Sequence, residues 1–242
     1  MKTIIIIPAR MGSTRFPNKP LALIDGTPMI QRVWQQAKSA DFASVIVACC
    51  EKEVFDLINS IGGEAVMTSP LHLSGTDRIF EVIRDYPDAN QFDSIINLQG
   101  DMPIIDPIDI KKVNMPLVQG FDIGTLVTNL SLDEEIDTNI TKVKVSWITK
   151  NNLGEAKEFY KISQKTIEKT YHHVGIYSFR FTSLKKFVDL PPSPNELYHK
   201  LEQWRALDAK MKIGACFVKN VPLSVDTKED LIKVENIIKV QK

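Results

Sequence analysis

Four isoleucines in succession, at positions 4–7, constrain the fold of this chain more than any other feature of its sequence. An uninterrupted run of β-branched residues indicates a strand that is buried on both faces, as in a parallel sheet. Helical apolar spacing follows at Ile30, Val33 and Ala37. Three more strands are predicted at 44–48, 64–67 and 95–98. Because strands alternate with helices, the sequence predicts right-handed βαβ units and an α/β fold with a mainly parallel sheet.

The second half of the chain has a less regular pattern. Strands are predicted at 123–130, 142–148, 174–179 and 213–218, and the polar stretch 150–170 is assigned to no element. Leu197, Leu201 and Trp204 have the spacing of one helix face. Thr227 and Asp230 resemble a capping box, which predicts that the last helix begins there.

No internal repeat or low-complexity linker divides the 242 residues. We therefore predict a single domain, 1–242, with an inserted subregion at approximately 130–200. The chain has 30 basic and 30 acidic residues, so its overall charge gives no reason to expect nucleic acid or a membrane as partner.

The cysteines and the apolar runs predict the compartment. Three cysteines, of which Cys49 and Cys50 are adjacent, make a poor disulfide framework and fit a reducing compartment. The apolar run at 4–7 is too short for a signal peptide or a membrane span, and no later stretch qualifies. We expect a soluble, cytoplasmic protein.

Two common nucleotide-binding signatures and a zinc site are not supported. The sequence contains no G-x-x-x-x-G-K-[ST], and no G-x-G-x-x-G follows the first strand. The histidines lack the zinc-ligand spacing with the cysteines. The P-loop mode of phosphate binding is therefore unsupported, and a dinucleotide oxidoreductase is disfavoured.

The loop at 8–20, which follows the first strand, is a candidate polyphosphate site. Arg10, Arg15 and Lys19 place three positive charges within ten residues, and Gly12 and Ser13 offer backbone and hydroxyl donors. Ligands of open parallel sheets bind beyond the carboxyl ends of the strands, where this loop lies. The alternative is a solvated basic loop without a ligand.

Two carboxylates also follow predicted strands. Asp101 comes after a glycine in the string Asn-Leu-Gln-Gly-Asp-Met-Pro at 97–103, and Asp226 lies in Ser-Val-Asp-Thr at 224–227. Carboxylates at such ends are suited to Mg²⁺. The structural alternatives are a common G-D-x-P turn and an acid that favours a helix start by about 0.3–1 kcal/mol.

Three further strings combine polar groups with apolar ones. Ser-Gly-Thr-Asp-Arg at 74–78 could be a helix N-cap with a first-turn acid. His-Val-Gly-Ile-Tyr at 173–177 could hold a core histidine on a strand. In Leu-Glu-Gln-Trp-Arg at 201–205, Glu202 could pair with Arg205 on a helix surface, worth about 0.2–0.5 kcal/mol.

Taken together, these strings resemble the CMP-Kdo synthetase family, where Kdo is 3-deoxy-manno-octulosonate. The family patterns are IPAR-x-x-S-T-R-x-P-x-K-P, S-G-T-[DE]-R, Q-G-D-x-P, H-x-G-[IV]-Y, L-E-Q-x-R and V-D-T-x-E-D-L, and all six occur here in order between residues 4 and 231. The resemblance implies a Rossmann-like nucleotide-diphospho-sugar transferase fold, with helices on both faces of the sheet and an inserted subregion that binds substrate and forms a homodimer. It also implies transfer of CMP from CTP to the anomeric hydroxyl of Kdo, an eight-carbon acidic sugar, with release of pyrophosphate, for lipopolysaccharide synthesis.

The resemblance implies a role for individual residues. The CTP-binding residues are Ala9, Arg10, Ser13, Arg15, Lys19, Ser74, Gly75, Arg78 and Gln99. The catalytic residues are Arg10, Lys19, Asp101 and Asp226, and the two aspartates bind Mg²⁺. The sugar-binding residues are Lys161, His173, Tyr177, Glu202 and Gln203.

Two positions depart from the family pattern. Cys49 and Cys50 stand where the family usually has Thr-Asp, and Lys161 matches an arginine expected to clamp the sugar carboxylate. A lysine cannot repeat the bidentate geometry of an arginine. Alternatives are therefore a cytidylyltransferase for 8-amino-Kdo or another acidic sugar such as a sialic acid, and a catalytically silent nucleotide-binding homologue. Pyrophosphate release with CTP and a panel of sugars distinguishes them.

Overall fold

The computed structural model describes residues 1–12, 16–149, 152–162, 169–220 and 222–240. The strands are β1 Thr3–Pro8, β2 Leu23–Ile24, β3 Thr27–Pro28, β4 Ala43–Cys49, β5 Glu64–Met67, β6 Ser94–Asn97, β7 Ile123–Asn129, β8 Lys142–Thr149, β9 Leu153–Tyr160, β10 Thr170–Phe179 and β11 Ile213–Phe217. The α-helices are α1 Met29–Ser39, α2 Lys52–Ser60, α3 Gly75–Asp85, α4 Pro107–Lys112, α5 Met115–Val118, α6 Leu132–Ile136, α7 Phe181–Asp189, α8 Pro194–His199, α9 Gln203–Asp208 and α10 Lys228–Val240. In these ranges, no helix is both long and apolar enough to span a bilayer.

The chain divides into two compact units. The first comprises Met1–Ile110 and Pro222–Lys242, and the second comprises Lys111–Val221. The second unit contains the subregion predicted at 130–200 and extends beyond it at both ends. The sugar-binding and dimerisation roles of that subregion stay predictions.

The first unit is built on parallel strands in the order β5-β4-β1-β6. Strand β1 lies inside this order, with Ile5 opposite Val45 on one side and Ile96 on the other. Each isoleucine from 4 to 7 is 0% exposed, so the run of β-branched residues is buried on both faces. The predicted parallel arrangement is confirmed in this unit, and it brings the carboxyl ends of four strands to one edge.

The predicted capping pair begins the last helix. The Asp230 backbone N–H donates to Thr227 Oγ1 at 3.2 Å, and the Thr227 N–H donates to Asp230 Oδ2 at 3.0 Å. This reciprocal pair satisfies two N–H groups that a helix start leaves without partners. Apolar side chains of α10, including Val234 and Ile238, pack in a core cluster with Phe16, Ile24, Met29 and Val225.

The second unit contains a mixed sheet in the order β10-β7-β11-β9-β8, in which β8 also pairs with β10. The β7–β11 pair is parallel, and the other pairs are antiparallel. A bulge interrupts the β10–β7 register, because Val174 lies opposite Leu126 and Tyr177 lies opposite Thr125. Gly175 and Ile176 are therefore the extra residues, and bulges of this kind re-aim side chains near functional sites.

Strand β9 lies in the stretch to which the sequence assigned no element. Its partner β8 pairs Lys144 with Glu158 and Val145 with Ala156, so Lys157 is an extra residue in the ladder. Such a bulge breaks the alternation of apolar and polar residues on which strand prediction depends. Glu158 of β9 forms an ion pair with Lys144 of β8 at 2.7 Å, so this charged residue has a partner across the ladder.

The prediction of one helix with Leu197, Leu201 and Trp204 on one face is wrong. The structure has two short helices, α8 and α9, separated at Lys200, which has a left-handed φ of 54°. The Leu201 N–H donates to the Glu196 carbonyl at 3.3 Å, which closes a helix end of the kind usually made by glycine. Because a lysine occupies the left-handed position, the sequence contains no stop signal there.

Candidate active site

A cavity of about 360 Å³ lies in the first unit, at the carboxyl ends of its strands. Volumes in this range suit a small-molecule ligand. The predicted residues that line it are Ala9, Arg10, Lys19, Ser74, Gly75, Arg78, Gln99, Asp101 and Asp226. These residues come from four separate segments of the chain, which the parallel sheet brings to one place. Ser13 and Arg15, also predicted for CTP, lie outside the described residues.

The basic loop is attached to the unit on both sides of the undescribed residues. On one side, the Ala9 N–H donates to the Ala48 carbonyl at 2.8 Å. On the other, Phe16 is 7% exposed and packs in the core cluster with residues of α10. A bond from the Asn18 N–H to the Met11 carbonyl, 3.2 Å long, joins the two sides. Hydrogen bonds and core packing therefore fix the described residues at both ends of the loop.

Glu51 is a residue outside this loop that contacts it and that the sequence motifs do not reveal. Its Oε1 accepts the Met11 N–H at 2.9 Å, across 40 residues of chain. It follows β4 as Asp101 follows β6, so a carboxylate just after a buried strand is the signal that could have identified it. Glu51 fixes the backbone beside Arg10.

Lys19 brings the two predicted metal ligands together. Its Nζ lies 2.8 Å from Asp101 Oδ2 and 3.2 Å from Asp226 Oδ1. The side chain of Lys19 is 14% exposed, whereas those of Asp101 and Asp226 are 25% and 41% exposed. Burial alone would lower the pKa of Lys19, but the two carboxylates outweigh it and raise the pKa above its usual value. The ammonium therefore stays charged.

Backbone contacts fix the segments that carry the two aspartates. The Val225 N–H donates to the Asp101 carbonyl at 2.9 Å. The Asp226 N–H donates to Asp230 Oδ2 at 3.2 Å, so the cap of α10 also orients this segment. The convergence of the two carboxylates is thus set by the fold as well as by Lys19.

Gly100 allows the Asp101 turn to approach the end of β1. A Cβ at this position would lie 2.8 Å from the Pro8 carbonyl oxygen and 3.3 Å from Ile30 Cδ1. Real Cβ atoms essentially never come within 3.0 Å of another heavy atom, so any side chain here would displace the backbone. The glycine is required by this close approach.

The donor set of the site fits a magnesium ion. Mg²⁺ in nucleotide-dependent enzymes is usually held by one or two carboxylates together with substrate phosphates and water. Asp101 and Asp226 supply two such carboxylates, since both reach the same Lys19 atom. Within the described ranges, no group of three or more His, Cys, Asp or Glu side chains is arranged for a metal.

The 74–78 segment has the predicted structural role and also lines the cavity. Ser74 Oγ accepts the Asp77 N–H at 3.1 Å and so caps α3. The Arg78 side chain is 2% exposed and its Nη1 donates to Thr68 Oγ1. On the neighbouring strand end, Gln99 Nε2 donates to Asn97 Oδ1 at 2.9 Å. The capping interaction therefore holds Gly75 and Arg78 at the cavity wall.

In the second unit, the predicted sugar-binding histidine has a defined proton arrangement. Thr125 Oγ1 lies 2.8 Å from the Ile176 carbonyl, 3.2 Å from the Val174 carbonyl and 3.0 Å from His173 Nε2. The shortest of these contacts is to the Ile176 carbonyl, so we assign the hydroxyl proton to it, and His173 Nε2 is then assigned as a donor and Nδ1 as the acceptor. Burial, together with the charge of His172, lowers the pKa of His173 to about 3. The ring is neutral at physiological pH.

Three other predicted sugar-binding residues lie together in the same unit. Gln203 Nε2 donates to the Tyr177 hydroxyl. Burial, and secondly the charge of Glu202, raises the pKa of Tyr177, so the phenol stays protonated. Gln203 Oε1 is buried and has no hydrogen-bond partner in the part of the chain that the structure describes. Lys161 follows β9, and its carbonyl accepts from Lys142 Nζ at 2.9 Å.

Comparisons with known proteins place this geometry in a family. A cytidylyltransferase family model matches residues 4–213. This chain belongs to the cytidylyltransferase family.

Two relatives of this cytidylyltransferase have the same name. The 3-deoxy-manno-octulosonate cytidylyltransferase of Paramagnetospirillum magneticum is 44% identical over 242 residues, which cover 98% of this chain and 97% of the relative. The protein of the same name from Brucella suis is 43% identical over 234 residues, which cover 96% and 93%. A solved structure of CMP:2-keto-3-deoxy-manno-octonic acid synthetase, complexed with CTP, has a TM-score of 0.90 at 34% identity and covers 100% of both chains.

These similarities confirm two predictions made from the sequence. The family predicted from the six motifs is confirmed, and so is the α/β nucleotidyltransferase fold. The roles of individual residues in this cytidylyltransferase stay predictions, which the geometry above makes specific.

Proposed function

We propose that this cytidylyltransferase transfers CMP from CTP to the anomeric hydroxyl of Kdo and releases pyrophosphate. The observation that carries the proposal is the cavity of the first unit, where Lys19, Asp101 and Asp226 meet beside a basic loop. Relatives of 44% and 43% identity bear the name of this activity over nearly their whole length. We infer the substrates from the names of the relatives, and the roles of the residues from the geometry of the cavity.

The cavity offers positive charge for the triphosphate. Arg10 and Lys19 both line it, and Arg10 is exposed to incoming ligand. When pyrophosphate leaves, negative charge develops on the leaving group, and cations fixed beside it stabilise that charge. We assign this role to Arg10 and Lys19. The Met11 N–H bond to Glu51 keeps the Arg10 backbone in place for it.

We further propose that Asp101 and Asp226 hold Mg²⁺. A magnesium ion supplies Lewis-acid charge stabilisation at the reacting phosphate and makes the attacking hydroxyl more nucleophilic. The protein contributes two carboxylates at a fixed spacing, with their segments joined by the Val225 N–H bond to Asp101. Catalysis by such a site is mostly positioning and electrostatics.

The second unit supports recognition of the sugar. Sugar hydroxyls are hydrogen-bond donors, and the neutral His173 ring and Gln203 Oε1 provide buried acceptors for them. The protonated Tyr177 is held by Gln203. We assign Glu202 and Lys161 to the same substrate, with Lys161 facing the sugar carboxylate.

The test is release of pyrophosphate from CTP with a panel of acidic sugars. Kdo is expected to support turnover, whereas 8-amino-Kdo and sialic acid are expected to support little. Asp101→Asn should abolish turnover, since it removes a charged ligand. Lys52→Gln is the matched control, because Lys52 pairs with Asp56 on an exposed helix surface at 2.7 Å. Turnover by Asp101→Asn at the wild-type rate would contradict the proposed site, and turnover of another sugar in place of Kdo would change the substrate.

Three broader features extend the proposal. We also propose a role in lipopolysaccharide synthesis, a cytoplasmic location and a homodimer formed through the inserted subregion. Sedimentation of the purified protein tests the last of these directly. A mass of one chain, 27.4 kDa, at micromolar concentration would exclude the dimer.

A further inference from the structure

The position of Lys19 between two carboxylates points to a role beyond contact with CTP. The Lys19 ammonium lies 2.8 Å from Asp101 and 3.2 Å from Asp226, so it contacts the two carboxylates as well as any triphosphate in the cavity. Two partly buried carboxylates that share one site repel each other strongly unless a cation lies between them. In this structure Lys19 is that cation.

The surroundings of Lys19 hold it at this place. Lys19 begins a short 3-10 helix, Lys19–Leu21, whose Pro20 is buried. The preceding residue, Asn18, has a left-handed φ of 57°, and its N–H is bonded to the Met11 carbonyl. These contacts fix the backbone of Lys19, so any exchange of partners by its ammonium requires rotation of the four-carbon side chain alone.

We propose that Lys19 is the resident counter-cation of Asp101 and Asp226, which it holds together until a divalent cation replaces it and Lys19 turns to the triphosphate. This inference rests on the proposed metal site. Lys19, between the two carboxylates, offsets one of their two negative charges. A divalent cation on the carboxylates leaves the ammonium of Lys19 available to a phosphate.

The exchange couples metal binding to CTP binding. Without nucleotide, a divalent cation has to displace the Lys19 ammonium, which then has no other anion to pair with. The divalent cation therefore binds weakly in the absence of CTP. With CTP present, the phosphate oxygens serve both the metal and the displaced Lys19, so each ligand strengthens the binding of the other. This coupling is reciprocal, as linkage requires.

The first experiment measures Mn²⁺ binding by electron paramagnetic resonance, with and without CTP. Lys19→Gln removes the competing cation, so its affinity for Mn²⁺ in the absence of CTP should be about tenfold higher than that of the wild type, or about 1.4 kcal/mol. The increase of Mn²⁺ affinity on adding CTP should be smaller in this variant. Lys52→Gln, which removes a lysine from the exposed Asp56 pair, should behave as the wild type. Equal affinities in Lys19→Gln and wild type would overturn the counter-cation role.

A second experiment uses the wild-type chain and does not depend on a variant that folds. Lys19 is acylated with an amine reagent and its labelling rate is followed by mass spectrometry, with and without Mg²⁺. Its side chain is 14% exposed beside the carboxylates, so displacement by Mg²⁺ should raise its labelling rate several-fold, while that of Lys52 stays constant. An unchanged rate for Lys19 at saturating Mg²⁺ would contradict displacement.

The two experiments separate failure of this inference from failure of the metal site. If Mn²⁺ binds the wild type with CTP, and Asp101→Asn abolishes that binding, the metal site stands whatever Lys19 does. If Mn²⁺ binding does not depend on Asp101 in any state, the metal site itself fails, and the counter-cation role fails with it.

Discussion

Substitution of Gly100 by alanine tests how closely the Asp101 turn must approach β1. The added Cβ would lie 2.8 Å from the Pro8 carbonyl oxygen, about 0.6 Å inside the shortest ordinary contact of 3.4 Å. Both sides of this contact are backbone, so the strain cannot be relieved by rotating a side chain. Either the end of β1 or the turn that carries Asp101 must shift by several tenths of an ångström.

This shift has a predicted cost in stability and a larger one in activity. Overpacking of this kind typically costs about 1–3 kcal/mol. For a chain of this size, each kcal/mol lowers the melting temperature by about 2–4 °C. A catalytic group misplaced by about 1 Å can cost about a hundredfold, so a displacement of about half that size should lower kcat/KM for CTP by about tenfold.

The matched control is Gly62→Ala, in the same unit. Gly62 has a left-handed φ of 79° and no heavy atom within 4 Å of the added Cβ, so alanine there costs about 1–2 kcal/mol of backbone strain without a steric contact. Both variants should lose similar stability, but only Gly100→Ala should lose activity. Steady-state pyrophosphate release and thermal unfolding measure the two effects. Full activity in a folded Gly100→Ala protein, or an equal loss of activity in both variants, would refute this reasoning.

Three other predictions concern substrates and pH. CTP should be used in preference to UTP, because the family resemblance implies acceptors for the cytosine amino group near Ala9 and Ser74, and such a pocket rejects a base that lacks this group. Equal turnover of the two nucleotides would contradict this. Lys161→Arg should lower KM for Kdo by about ten- to a hundredfold and leave KM for CTP nearly unchanged, since a fork replaces a single point charge in a bond worth about 1.5–3 kcal/mol; an unchanged sugar KM would show that Lys161 is not the carboxylate clamp. Glu81→Gln should destabilise the protein at neutral pH. Burial raises the pKa of Glu81, but hydrogen bonds from His72 and the Ser69 N–H outweigh it and lower the pKa below 4.5. That stabilisation is present above about pH 4.5 and is lost as the pH falls through the lower folded pKa, so unfolding curves of the two proteins should converge in acid.

The sequence predicted the first unit well because its signals are local and repeat with a regular period. The four isoleucines are buried at 0% exposure, and the strand predicted at 64–67 is β5, Glu64–Met67. In the second unit, the strands predicted at 123–130, 142–148 and 213–218 are β7, β8 and β11, whereas β9 and the break between α8 and α9 were missed. Lys157 in β9 breaks the alternation, and Lys200 ends a helix where glycine is expected.

The same distinction applies to the candidate site. Asp101 and Asp226 were identified because each stands in a short, recognisable string, although 125 residues separate them in the chain. Glu51 was not, because it contacts the loop through the Met11 backbone N–H, and any residue type at position 11 other than proline would supply that donor. A hydrogen bond to a backbone N–H does not constrain which residue type supplies that N–H, so the sequence does not reveal it.

Cys49 and Cys50, at the end of β4, show how the chain accommodates its departure from the family pattern. Burial, and then the charge of Glu51, raises the pKa of Cys49 to about 12, and burial also raises the pKa of Cys50. Both thiols are therefore neutral at pH 7, and neither replaces the negative charge of an aspartate at this strand end. Glu51, the next residue, provides a carboxylate there, and its Oε1 is bonded at 2.9 Å to the Met11 N–H beside Arg10. Because this carboxylate binds backbone of the loop, the end of β4 contributes to the site by fixing the loop that carries the cations.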